Sequence, residues 1–154
     1  MNGISKITVT DNVSLVSFEY LPADGKSVAR LLSAVANGGV NVDMISQSAP
    51  CSHSVSLSST IADDDLIKTL RICNELGASI GGAKPMVSSS NCKIQMYGAE
   101  MAEKPGVAAR AIEAIAGSGA ELGLITTSEV DISCLVPAIN IDEAVESVER
   151  TFSL

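Results

Sequence analysis

Aromatic residues are scarce in this 154-residue chain: it has no Trp, two Phe and two Tyr. Stacking platforms for bases or sugars are therefore nearly absent, and the core must be built from Ala, Val, Leu, Ile and Met. Positive charge is also short, with 10 Lys and Arg against 18 Asp and Glu and a net charge of -8. An acidic surface repels phosphate backbones and anionic lipids, so neither nucleic acid nor a membrane surface is expected as a partner. No apolar run approaches the roughly 20 residues of a membrane span. Met1-Asn2-Gly3-Ile4 lacks the charged start and apolar run of a secretory leader. A cytoplasmic location is expected. The four cysteines, Cys51, Cys73, Cys92 and Cys134, form no CxxC pair and read as reduced, mostly buried thiols. No metal site and no cofactor are expected. His53 is the only histidine and has no candidate partners, so it reads as a surface loop residue.

Hydrophobic residues make up 46% of the chain, enough for a packed core. A shift of 80 positions aligns Ala29-Arg30 with Ala109-Arg110 and Ala34-Val35-Ala36 with Ala114-Ile115-Ala116. The same shift aligns Gly39 with Gly119, Met44-Ile45 with Leu124-Ile125, and Ser48 with Ser128. The unit is too long for a solenoid repeat, so two copies of a small domain are expected.

Each copy has the same order of periodicities. In the first, Val16, Phe18 and Tyr20 alternate as in a strand, and Pro22-Ala23-Asp24-Gly25 is a turn. Val28, Leu31, Leu32 and Val35 form a helical stripe that Asn37-Gly38-Gly39 stops. Val40, Val42 and Met44 alternate, as do Val55 and Leu57 beyond Pro50. Asp63-Asp64-Asp65 reads as a helix start rather than a cation site. Leu66, Ile67, Leu70, Cys73 and Leu76 then make a second stripe, and a short strand is expected around 83–88. The second copy repeats this order from Ile94 and Met96, through Glu103-Lys104-Pro105-Gly106, to a last helix with Ala144, Val145, Val148 and Phe152. Its Ala-rich helix, Ala108 to Ala116, is read as core, with a dimer contact as the minor alternative.

These patterns predict an α+β fold of two ferredoxin-like βαββαβ units, each an antiparallel four-stranded sheet with helices on one face. The second copy ends without its last strand, whereas Ile4 to Thr10 is a spare strand at the start. That N-terminal strand is expected to complete the second unit, which would otherwise keep an open edge. The expected boundaries are 12–88 for the first unit and 3–10 plus 91–154 for the second, with Ser88-Ser89-Ser90 as a short linker.

Gly39-Val40-Asn41-Val42-Asp43-Met44-Ile45-Ser46-Gln47 resembles the GINVDMIxQ segment of the first ACT repeat of aspartate kinases. Lys104-Pro105-Gly106-Val107-Ala108-Ala109-Arg110 resembles the HPGVAAK/R turn and helix of the second repeat. Ile125-Thr126-Thr127-Ser128-Glu129-Val130-Asp131-Ile132-Ser133 is similar to its ISTSEIxIS strand pair, and the end at Phe152-Ser153-Leu154 to AFxL. The resemblance covers almost the whole chain. It implies a tandem ACT regulatory region without the kinase domain, since nothing resembles the KFGGTS-type start of that domain. Gly81-Gly82 is followed by Ala83-Lys84-Pro85, which is not a P-loop. No catalysis is expected of this chain; aspartate kinase activity would require a catalytic domain.

The resemblance further implies that an amino-acid effector, classically lysine or threonine, binds at an interface between paired ACT units, with a homodimer and a catalytic kinase chain as partners. In the first copy the implied effector residues are Asp24, Gly25, Lys26, Ser27 and Val28 at the turn. Asn41, Val42, Asp43 and Gln47, expected close by, complete the set. Backbone N–H groups at a helix N-terminus suit a carboxylate, and Asn, Asp and Gln oxygens suit an ammonium. The second copy offers Pro105, Gly106 and Glu121. Four departures from the family pattern stand out: Ala23 replaces an Asp, Lys26 a Gly, Glu121 an Asn, and Gly123 an acid. They leave two alternatives open, a regulatory subunit or fragment of a kinase, and a structural ACT module whose effector sites have decayed.

Overall fold

The computed structural model describes residues 3–154. It contains β1 (Lys6–Pro22), α1 (Gly25–Asn37), β2 (Ile45–Gln47), β3 (Ser54–Ala62), α2 (Leu66–Leu76), β4 (Met86–Tyr97), α3 (Val107–Gly117), β5 (Leu124–Thr127), β6 (Asp131–Pro137) and α4 (Ile141–Phe152). The chain divides into two compact units, Val13–Ser89 and the residues up to Asn12 together with Ser90–Leu154. Strands neighbour one another in the order β2-β3-β1-β4-β6-β5.

In the unit of Val13–Ser89, α1 and α2 cover one face of the sheet. The core gathers Val16, Phe18 and Leu21 from β1 and Leu31 and Val35 from α1. Val55, Leu57 and Ile61 join from β3 and Cys73 from α2. Asp24 caps α1 by accepting the Ser27 N–H at 2.6 Å. Gly39, at φ +83°, turns the chain out of the helix. The β2–β3 hairpin closes through Cys51 and Ser54, with Ser52 and His53 both at positive φ. This is the twist-matched turn that two-residue hairpins require, and it exposes His53 at its tip.

The other unit is built alike around Ile94 and Met96 of β4, Ile132, Cys134 and Val136 of β6, Ala111 and Ile115 of α3, and Val148 and Phe152 of α4. Ile4, only 3% exposed, belongs to this core. Ser5 N–H donates to the Tyr97 carbonyl at 2.8 Å. The N-terminal segment therefore completes the second unit, as the spare strand requires. Gly98 is needed where it sits, because a Cβ there would collide with the Gly3 carbonyl.

Four expectations change. The Ser88-Ser89-Ser90 run does join the two units, but as part of β4, which spans Met86 to Tyr97, and not as a loop. Likewise β1 runs on from the N-terminal strand to Pro22. Asn12 and Ser90, where these two strands pass between units, have φ of 57° and 58°. Tyr20 does not continue the Val16–Phe18 face. The β1–β3 register slips between Phe18 and Leu21, which leaves Tyr20 74% exposed and buries Leu21. Ile67 is also 74% exposed, and the buried places on α2 are Thr69 and Cys73. Thr69 can be buried because its hydroxyl donates to the Asp65 carbonyl at 2.8 Å. Finally, Val40 and Val42 alternate outside any strand, since β2 begins only at Ile45.

Candidate functional site

The turn from Pro22 to Val28 ends on the first turn of α1. Asp24, Gly25 and Lys26 are exposed, Ser27 is buried and Val28 is half-buried. The bond from the Ser27 N–H holds the Asp24 carboxyl below its ordinary range, with smaller help from Arg30 and Lys26. One N–H of the helix start is thus already engaged. A ligand carboxylate would meet the Gly25 and Lys26 amides beside it, and the space above Gly25 is open. Lys26 makes no ion pair among the described residues, so its ammonium is available there.

Two contacts fix the turn from behind. Gly81 lies so close to Pro22 that a Cβ at Gly81 would stand 2.9 Å from the Pro22 ring. Arg30 reaches across to donate to the Ser79 carbonyl at 2.7 Å. Sequence reading missed both residues. Gly81-Gly82 was legible only as a failed P-loop, and nothing in the chain's patterns links Arg30 to Ser79.

Asn41, Asp43 and Gln47 are exposed, while Val42 is half-buried against the first core. Asp43 N–H donates to the Thr60 carbonyl at 3.0 Å, and Thr60 pairs with Leu15 of β1. Asp43 is therefore level with the early part of β1, whereas Asp24 follows Pro22 at its far end. Seven residues of strand put these places about 20 Å apart. Gln47 pairs with Leu57, which pairs with Phe18, so it lies between the two. Within the unit Asn41 and Asp43 are not brought to the turn; the two groups of residues lie at opposite ends of the sheet.

The second copy has the same plan with different chemistry. Gly106, at φ +90°, is the N-cap of α3 and supplies no side-chain cap. Pro105 and Gly106 are exposed at that helix start. Glu121 is exposed in the segment before β5, and Gly123 N–H donates to the Leu135 carbonyl at 2.8 Å. This mirrors the Asp43–Thr60 bond without the acid. Among the described residues no cluster of His, Cys, Asp and Glu could hold a metal ion.

Residues 94–152 match the ACT domain family. An aspartokinase of Geobacillus stearothermophilus is 34% identical over 148 residues, covering 96% of this chain and 35% of that relative. The regulatory subunit of aspartate kinase from Thermus thermophilus, solved in a ligand-free form, superposes with a TM-score of 0.88 at 26% identity. That match covers 97% of this chain and 99% of the subunit. A structure of aspartokinase alpha and beta subunits superposes equally well, with a TM-score of 0.88 at 28% identity, over 98% of this chain and 99% of that one.

The chain matches the regulatory region of aspartokinases. It spans only about a third of the curated relatives' length, and the catalytic domain lies outside the match. No helix among the described residues is long and apolar enough to cross a membrane.

Proposed function

We propose that this chain is a cytoplasmic amino-acid sensor that controls an aspartate kinase catalytic domain or chain, and that its first-copy effector site is completed by a second copy of the same chain. The observations that carry the proposal are the distance along β1 between the Asp24–Val28 turn and the Asn41–Asp43 segment, and the free edge of β2. This strand is three residues long, has β3 as its single neighbour and exposes Ile45 at 47%. A free edge of this kind calls for cover. Two copies paired antiparallel along β2 set the start of one strand beside the end of the other. The Asn41–Asp43 segment of one copy then meets the Asp24–Val28 turn of its partner.

In that arrangement the chemistry of an amino acid is complete. Gly25 and Lys26 amides, with the Lys26 ammonium, take the carboxylate. Asp43 and the Asn41 and Gln47 carbonyl oxygens take the ammonium or a polar side chain. The resemblance favours lysine or threonine. An effector that touches both copies binds the paired state better than the separate one, and that difference is what a catalytic partner can read. The Glu121 and Gly123 substitutions point to a second-copy site that has lost this function or changed its ligand.

Isothermal titration with lysine, threonine and a panel of other amino acids tests the reading. One of them is expected to bind, and Asn41→Ala is expected to weaken it at least tenfold. A folded protein that binds none of them at millimolar concentration would overturn the proposal and leave a structural module.

A further inference from the structure

A cleft of about 670 Å³ opens between the C-terminal half of α2 and the loop that returns to β4, wholly within the unit of Val13–Ser89. It shares no residue with Asp24, Asn41 or Gln47, although Gly81 of its lining packs against Pro22 behind the effector turn. Leu70, Cys73, Ala83 and Pro85 supply an apolar floor. Asn74 and Lys84 supply the polar side chains. Gly77 and Gly82, both at positive φ, keep the mouth wide, since a Cβ at either would meet nothing within 4 Å. Size and lining are those of a small-molecule site, an apolar body pocket with few polar anchors.

The polar groups fix the ligand class. Lys84 is the only charged residue of the lining, is exposed, and makes no ion pair among the described residues. Its other side borders a hollow of about 340 Å³ that includes Glu19, and no ion pair joins Glu19 to Lys84 there. An ammonium and an amide donor lining the same largely apolar cleft favour an anion carried on an apolar body. We infer that this cleft binds a small organic anion, a carboxylate or phosphate ester with a hydrophobic portion, at a site separate from the amino-acid site. The inference does not rest on the effector reading and can stand or fall without it.

The probe is 8-anilino-1-naphthalenesulfonate, titrated into the full chain and followed by fluorescence and by amide shifts in ¹⁵N-labelled protein. Saturable one-to-one binding is expected, with shifts at Asn74, Gly77, Gly82 and Lys84. Lys84→Gln is expected to weaken the probe at least fivefold while leaving the uncharged analogue N-phenyl-1-naphthylamine unchanged. Ala78→Trp, at an exposed position of the lining, is expected to abolish both. No saturation, shifts outside residues 70–85, or a probe affinity indifferent to Lys84→Gln would each overturn the inference. Should Ala78→Trp fail to fold, the Lys84→Gln comparison decides alone.

Discussion

Single side chains decide how the effector turn and the thiols behave. The lowered pKa of Asp24 comes from its bond to the Ser27 amide, which exists only in the folded helix. A group with a depressed folded pKa adds stability above its unfolded value, near 3.8, and loses it as pH falls through the folded value. Asp24→Asn keeps a capping oxygen but not the charge. Its thermal midpoint is therefore expected to fall slightly below wild type at pH 7 and to converge with it as pH falls through the lowered Asp24 pKa, a trend that melting curves across pH would show. The cysteines divide as clearly. Cys51 is exposed, whereas Cys73, Cys92 and Cys134 are buried. Burial pushes the Cys73 thiol up and the Cys134 thiol up to about 11. Ellman's reagent on the native protein is expected to modify one thiol rapidly and the other three only on unfolding. Rapid modification of two or more would contradict the packing described.

Elements show how far a sequence can be read. The repeat at 80 positions, the succession of strands and helices along the chain and the spare N-terminal strand are all legible because they depend on periodicity, which burial imposes directly. Gly39 and Gly119, paired by the repeat, both have positive φ and both follow a helix. What resists reading depends on a local slip or a satisfied polar group. The bulge after Phe18 moves the buried face from Tyr20 to Leu21 without any change in residue type to announce it. Thr69 is buried through a bond to a carbonyl four residues earlier, which hydropathy cannot register. The serines at 88–90 have a linker's composition but occupy a strand. The candidate site residues were named one by one from the sequence, whereas their distance from one another follows from strand register, which only the structure supplies. Ile4 and Gly98 together carry the N-terminal segment. Ile4→Ala removes buried side chain from the second core and is expected to cost roughly 2–4 kcal/mol in urea denaturation. Gly98→Ala sets a methyl against the Gly3 carbonyl and is expected to cost about 3 kcal/mol, chiefly by displacing that segment.

At the scale of the whole molecule the two units are alike in plan and unlike in chemistry, with Asn41 and Asp43 in one answering to Glu121 and Gly123 in the other. The claim that matters most is that the first-copy effector site is shared between two chains. Subunit mixing tests it directly. Gly25→Phe blocks the turn at a position with open space around it, and Asn41→Ala removes the facing amide. Each variant alone is expected to lose effector binding. In a mixed dimer one site carries both defects and the other carries neither. Calorimetric titration of an equimolar, re-equilibrated mixture is expected to recover about a quarter of the wild-type sites at wild-type affinity, since roughly half the dimers are mixed. A mixture that recovers no binding, although each variant is folded and exchanges subunits, would place the whole site within one chain and contradict the account.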